Sequence, residues 1–283
     1  MEKVMVTGVA GQLGYDVVKI LNERNIPCKG VDIGDFDLTD ENAVLSAIEE
    51  YNPTAVVHCA AYTAVDKAED NKDAAYAVNV TGCANIAKAC KKVGAKLLYV
   101  STDYVFDGEK EGYINADDNK NPLSVYGSTK YQGEIECKKY VDKLFIVRLS
   151  WVFGINGGNF VKTMLRLGET KDEISVVNDQ FGSPTYTPDA AKLMCDMIVT
   201  DKYGEYNVAN EGYCSWYEFA CAIFKEAGVN IKVNPIPSSE YPTRAHRPKN
   251  SCFSKAEIVN AGFEKLPTWQ NALERYIKQL KEK

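Results

Sequence analysis

The stretch Val4-Met5-Val6-Thr7-Gly8-Val9-Ala10-Gly11-Gln12-Leu13-Gly14 decides the fold. Residues 3–7 read as a short buried strand, and 15–23 as the helix after it. Between them the glycines stand as G-x-x-G-x-x-G, a variant of the dinucleotide fingerprint G-x-G-x-x-G. Gly8 permits a tight turn off the strand, and Gly11 lets the backbone approach a pyrophosphate. Gly14 lets the helix pack close to the sheet, and the helix N-terminus attracts the negative charge. Gly8, Gly11, Gln12, Leu13 and Gly14 are therefore the first cofactor-binding candidates.

The next strand ends at Val31-Asp32. Asp32 follows Gly14 by 18 residues, near where an acid meets the adenosine ribose 2′-hydroxyl. A carboxylate there repels a 2′-phosphate, and no Arg lies between Asn25 and the end of the following helix to offset it. The expected cofactor is NADH in preference, with NADPH possible. Asp37 and Leu38 are placed to touch the adenine, and Thr39 or Asp40 to cap the helix running to Glu50.

Further along, strands and helices alternate. Residues 55–59 form an apolar run after Asn52-Pro53, and Ala60-Ala61-Tyr62-Thr63 leaves its C-terminal end, where open α/β sheets bind ligands. His58 lies inside that strand and reads as core. Asn79 sits in the long helical stretch to Val93, either under an active site or simply packing. Residues 96–100 make another strand, 126–140 a helix and 144–149 a further strand. The pattern predicts an α/β fold: a doubly wound parallel Rossmann-type sheet with a smaller C-terminal substrate-binding domain. The nucleotide-binding domain is expected from 1–150 plus about 171–200. The second domain takes about 151–170 plus 201–283. Past Trp151 the alternation loosens into a helix near 160–167, a strand at 174–177, a polar loop at 178–185 and a helix opened by Thr187-Pro188, with Thr187 as cap. The late loop 238–250 is rich in Pro and cations, which suits an anionic ligand.

Chemistry enters with Tyr126-Gly-Ser-Thr-Lys130. Four residues apart on a helix, the two side chains share a face. A free Tyr titrates near about 10, and a nearby ammonium favours its phenolate and moves it toward the range of acid–base catalysis. Thr102, at the end of strand 96–100, offers a hydroxyl to a carbonyl oxygen. Thr102, Tyr126 and Lys130 are the catalytic candidates.

Composition narrows the alternatives. The chain of 283 residues is 45% hydrophobic, enough for a large core, and its net charge of −6 argues against nucleic acid. No apolar run approaches the roughly 20 residues of a membrane helix. No signal peptide precedes the first strand, so a cytoplasmic location is expected. Nine scattered cysteines without a C-x-x-C pair read as reduced, and with two histidines a His-based metal site is not expected.

Eight segments carry a resemblance. They are Thr7–Gly14, Ala60–Glu69, Ser101–Gly108, Val125–Lys130, Arg148–Gly154, Asn159–Arg166, Asn178–Thr185 and Arg247–Ser251. Together they resemble the extended short-chain dehydrogenase/reductase family, and within it the dTDP-4-dehydrorhamnose reductases. The resemblance implies reduction of the C4 ketone of a dTDP-linked 4-keto-6-deoxyhexose. Tyr126 would donate the proton, Lys130 would lower its pKa and bind the nicotinamide ribose, and Thr102 would orient the ketone. Ala60, Ala61 and Tyr62 would line the cofactor, Tyr62 standing where many members have His. Thr63, Val65, Asp103, Tyr104 and Trp151 would meet the sugar. Asn159, Lys162, Gln180, Arg247 and Asn250 would meet the nucleotide diphosphate. Some members hold a divalent ion at a dimer interface. Asp16 matches one such position, but Thr54 and Pro188 occupy the others, so no metal is expected and the chain should be a monomer or weak homodimer. The rivals are a sugar-nucleotide epimerase, another 4-ketohexose reductase and a non-catalytic regulatory homologue.

Overall fold

The computed structural model describes residues 2–282. The first half is β1 (Val4–Thr7), α1 (Gln12–Glu23), β2 (Cys28–Val31), α2 (Glu41–Tyr51), β3 (Ala55–His58), the short α3 (Val65–Ala68) and α4 (Lys72–Tyr76), α5 (Cys83–Val93), β4 (Lys96–Thr102), α6 (Val125–Tyr140) and β5 (Leu144–Leu149). The second is β6 (Val152–Phe153), α7 (Phe160–Gly168), β7 (Glu173–Val177), β8 (Phe181–Gly182), β9 (Thr185–Tyr186), α8 (Thr187–Ile198), β10 (Gly204–Val208), β11 (Cys214–Ser215), α9 (Trp216–Ala227), β12 (Lys232–Ile236), β13 (Asn250–Ser251), α10 (Ala256–Asn260) and α11 (Trp269–Lys281).

Six strands form one parallel sheet in the order β10-β5-β4-β3-β1-β2. Alternation along each strand feeds two cores. Val4, Val6, Val57 and Leu98 face the layer holding α1 and α8. Met5, Val56, Leu97 and Tyr99 face α2, α5 and α6. Burial on both faces explains why these strands read as unbroken apolar runs. From β1 the chain winds to β2 on one side, then returns to β3 on the other. The crevice at that reversal, outside the strands' C-terminal ends, is where such folds take ligands.

Two boundaries differ from the sequence expectation. Strand β10, beyond residue 201, joins the main sheet by pairing with β5. Strand β7, inside the 171–200 segment, pairs instead with β12 in a separate ribbon, and Val176 packs in a third core with Phe153, Phe219 and Tyr276. The reason is local: Gly204-Glu-Tyr-Asn-Val208 has a short half-polar pattern typical of an edge, which conceals its place beside β5. Thr187 is the first residue of α8 rather than its cap; Tyr186 holds the cap position, and the Thr187 hydroxyl donates to buried Asp16 at 2.6 Å. Of the two residues proposed to cap α2, Asp40 does so, accepting from the backbone N–H groups of Asn42 and Ala43.

Candidate active site

Gly8 turns off β1 with φ +73°, and a methyl there would sit 2.7 Å from the Ala60 nitrogen. A methyl on Gly14 would collide with the Gly8 carbonyl oxygen. Gly14 therefore lets α1 pack on the turn, and Gly8 lets the turn lie against the backbone that leaves β3. Gly11 occupies the cap position of α1, with no side-chain cap on the helix's first N–H groups. That leaves them aimed at an anion. A cleft of about 400 Å³ opens here, lined by Gly8, Gly11, Asp32, Asp37, Leu38, Ala60, Ala61 and Tyr62. Asp32 is tied to the glycine turn, accepting from Ala10 N–H at 2.8 Å.

The cleft shares Gly8, Gly11, Ala61 and Thr63 with a second cavity of about 450 Å³. There Gln12, Leu13, Gly14, Val65, Thr102, Asp103, Tyr104, Tyr126, Lys130 and Trp151 converge. Helix α6 delivers Tyr126 and Lys130. Ser124 caps it, accepting from Gly127 N–H at 3.1 Å, and Glu69 accepts from Val125 N–H at 2.8 Å. Gly127 has no side chain to strike the Tyr104 carbonyl oxygen, so α6 lies against the turn after Thr102. Behind it, Asn79 sits in one π-helical stretch, 77–82, and its amide bonds both backbone groups of Tyr62 and the Thr129 hydroxyl. Asn79 thus fixes the cavity wall from below.

Burial dominates the electrostatics. It pushes the Tyr126 phenol up to about 12, although the neighbouring Thr102 hydroxyl pulls the other way. The expectation that Lys130 lowers this pKa is not met: Lys130 donates to the Val100 carbonyl at 2.8 Å, and its own pKa is lowered by burial. Asp103, placed by sequence among the sugar contacts, has both oxygens engaged. It accepts from Thr102 at 2.9 Å and from Ser251 at 2.6 Å, and burial raises it to about 6. Tyr104 meets Tyr126 edge-on, ring centroids 5.5 Å apart. His58 is buried beneath, beside Thr7 at 2.8 Å, its pKa lowered to about 3 chiefly by burial.

The cavity continues past Asp103, Tyr104 and Trp151 into a smaller one of about 220 Å³, reached by Gln180, Trp216 and Arg247. Trp151, at φ +48°, stacks on Trp216 with centroids 3.5 Å apart. Gly182 makes room for the indole. Arg247 bonds Asp66 at 3.0 Å, while its Nε is buried with no hydrogen-bond partner among the described residues. Three candidates are used elsewhere. Asn159 caps α7 and donates to Gln12, Gly154 and Tyr276. Asn250 donates to the Lys110 and Gly112 carbonyls and accepts from Cys252 N–H. Lys162 donates to the Ile155 and Gly157 carbonyls, both at 2.7 Å. Their amide and ammonium groups serve loop geometry rather than the open cavity. Trp216, Ser251 and Glu69 border or brace the site; Trp216 lies in no motif, and Glu69 and Ser251 end two of the eight segments without a role being assigned to them there. Only contact across the chain identifies them.

A glycine turn on a parallel sheet, joined through one cavity to a Thr–Tyr–Lys set and a second lobe, defines an extended short-chain dehydrogenase/reductase architecture. Comparison with known proteins narrows this. The RmlD substrate binding domain family matches residues 1–282. A dTDP-4-dehydrorhamnose reductase from Aggregatibacter actinomycetemcomitans is 41% identical, covering 96% of this chain and 97% of that protein. The crystal structure of a dTDP-4-dehydrorhamnose reductase from Clostridium acetobutylicum superposes with a TM-score of 0.97 at 42% identity, covering 99% of each chain. That of the Bacillus anthracis reductase in complex with NADP gives 0.95 at 44% identity, covering 98% of this chain and 99% of that one. The chain belongs to the dTDP-4-dehydrorhamnose reductase family, which are NAD(P)-dependent oxidoreductases.

Proposed function

We propose that the protein reduces the C4 ketone of dTDP-4-dehydro-L-rhamnose to dTDP-L-rhamnose. The observation that carries this reading is the meeting of Thr102, Tyr126 and Lys130 in the cavity that the glycine turn opens into. The residues fit a dinucleotide: the glycine turn excludes any side chain from the pyrophosphate position, and α1 presents uncapped N–H groups to it. Asp32, Asp37 and Leu38 would take the adenosine end, with Ala60, Ala61 and Tyr62 along the cofactor's other edge. When bound, a reduced nicotinamide supplies the hydride.

Everything else falls to side chains. Tyr126, a phenol protonated at neutral pH and pushed further up by its burial, gives its proton to the C4 oxygen as carbon is reduced. Lys130 keeps one N–H on Val100 and would offer another to the nicotinamide ribose. Thr102 would hold the ketone oxygen against the phenol by turning its single hydroxyl proton from the Asp103 carboxylate to the substrate. Trp151, Thr63, Val65 and Tyr104 border the sugar, and Gln180 and Arg247 stand toward the diphosphate, where the buried unpartnered Nε of Arg247 suits a phosphate oxygen.

The test is oxidation of NADH by purified protein with enzymatically made dTDP-4-dehydrorhamnose, followed by NMR of the product. dTDP-L-rhamnose is expected. No oxidation by folded protein that binds NADH would overturn the reading, and the 6-deoxy-talose epimer would correct its stereochemistry. We also propose that NADH is preferred, because the Asp32 carboxylate opposes a 2′-phosphate. Asp32→Ala should narrow the ratio of NADH to NADPH efficiency, and an unchanged ratio rejects Asp32 as the selector.

A further inference from the structure

Tyr126 and Lys130 continue, at the same spacing, to Glu134. One face of α6 therefore carries a phenol, an ammonium and a carboxylate in succession. Glu134 is fully buried, and so is the Arg148 guanidinium that forks it: Nε donates to Oε1 at 2.7 Å and Nη2 to Oε2 at 2.6 Å. Oε1 also accepts from the Ser101 hydroxyl at 2.6 Å. Ser101 directly precedes Thr102 on β4 and stands opposite Arg148 of β5 in the sheet register. The remaining guanidinium nitrogen donates to the Ala116 carbonyl at 2.8 Å, and Glu205 of β10 pairs with Nη2 from the outer side. One carboxylate thus joins α6, β4 and β5.

We infer that Glu134, with Ser101 and Arg148, is a positioning set that fixes Tyr126 against Thr102. The inference rests on the reading of Thr102, Tyr126 and Lys130 above. Three bonds pin α6 to successive residues of β4: Tyr99 to the Lys130 carbonyl, Lys130 to the Val100 carbonyl and Ser101 to Glu134. The last is the only one of these three made by the side chain next to Thr102, so it sets the strand that carries Thr102 against the helix that carries the phenol, while Asp103 holds the Thr102 hydroxyl itself. A fully buried ion pair adds little net stability over apolar side chains of the same volume. What it supplies is direction: a planar fork accepts a carboxylate in one orientation. Proton and hydride transfer need that orientation, since a displacement of about 1 Å can cost about 10²-fold in rate.

The variants Glu134→Gln and Ser101→Ala test this, beside Tyr126→Phe in the same assay. The amide of Glu134→Gln keeps the shape but cannot accept from all its donors. Its kcat should fall about tenfold or more, with substrate KM and NADH Kd within about twofold. Ser101→Ala leaves the ion pair whole and removes only the bond beside Thr102; its kcat should fall about threefold to tenfold with little change in Tm. A Glu134→Gln protein that loses Tm but keeps kcat overturns the inference. If that variant does not fold, Ser101→Ala decides alone, and unchanged kcat there overturns it. The two readings fail separately. Full turnover in Tyr126→Phe sinks the chemistry, whereas loss in Tyr126→Phe with none in the other two sinks only the positioning role.

Discussion

The two halves of the cavity are built in opposite ways. The nucleotide half is made of backbone: a turn only glycine can follow, uncapped N–H groups at the start of α1, and strand ends brought into line by parallel pairing. The sugar half is assembled from side chains far apart in sequence. Trp151 leans on Trp216, Asp103 on Ser251 and Arg247 on Asp66. A backbone site is coded within a dozen consecutive residues. A side-chain site depends on which of several similar residues the remainder of the chain has left available, so the same residue type can be a ligand in one loop and a brace in the next.

Substitutions can break that contrast. The largest effect is expected at the junction of the halves. Tyr126→Phe should keep NADH affinity and lose about 10²-fold or more in turnover, measured by steady-state kinetics beside NADH fluorescence titration. Next is the sugar half. Arg247→Met should raise substrate KM about tenfold or more, the scale of a charge-assisted hydrogen bond, and leave NADH Kd alone. An unchanged KM would remove Arg247 from the diphosphate. Asn250→Ala should do the reverse, costing about 1–2 kcal/mol in urea unfolding while KM stays put. A raised KM in a stably folded Asn250→Ala protein would return Asn250 to the substrate.

The smallest effect lies outside the cavity. Burial alone would raise the Glu205 carboxyl, but Lys138 at 2.5 Å and Arg148 outweigh it and hold it at about 2. Its ordinary value is 4.5, so its contribution is complete above about 4.5 and is lost as pH falls through about 2. Partial exposure reduces that contribution to about 1 kcal/mol. Glu205→Gln should lower Tm at neutral pH and narrow its gap from the parent protein as the solution is acidified. A gap that stays constant with pH would mean Glu205 acts by packing alone.

This division also sets how much could be read from the sequence. Gly8, Gly11, Gly14, Asp32, Tyr126 and Lys130 stand out because turn, ribose and helix-face geometry each act over a few residues. Asn159 and Asn250 sit in two of the eight segments that carry the resemblance, yet the amide of one is consumed by a helix cap and that of the other by a loop. Thr187 looks like a cap until Asp16, from α1, claims its hydroxyl. Strand β10 is assigned by sequence to the second domain because an edge strand needs apolar side chains on few positions, which hides its pairing with β5. The rise of the Tyr126 phenol is hidden in the sequence for a related reason: proximity of a Lys is visible in spacing, and burial is not.

The chain has three tryptophans, and all of them, Trp151, Trp216 and Trp269, belong to the core shared by α7, α9 and α11. None lies in the layers around the parallel sheet. Indole emission from this protein is therefore an optical readout of one lobe. The Trp151–Trp216 stack borders the sugar cavity, so entry of a ligand that shifts Trp151 alters the brightness of the pair.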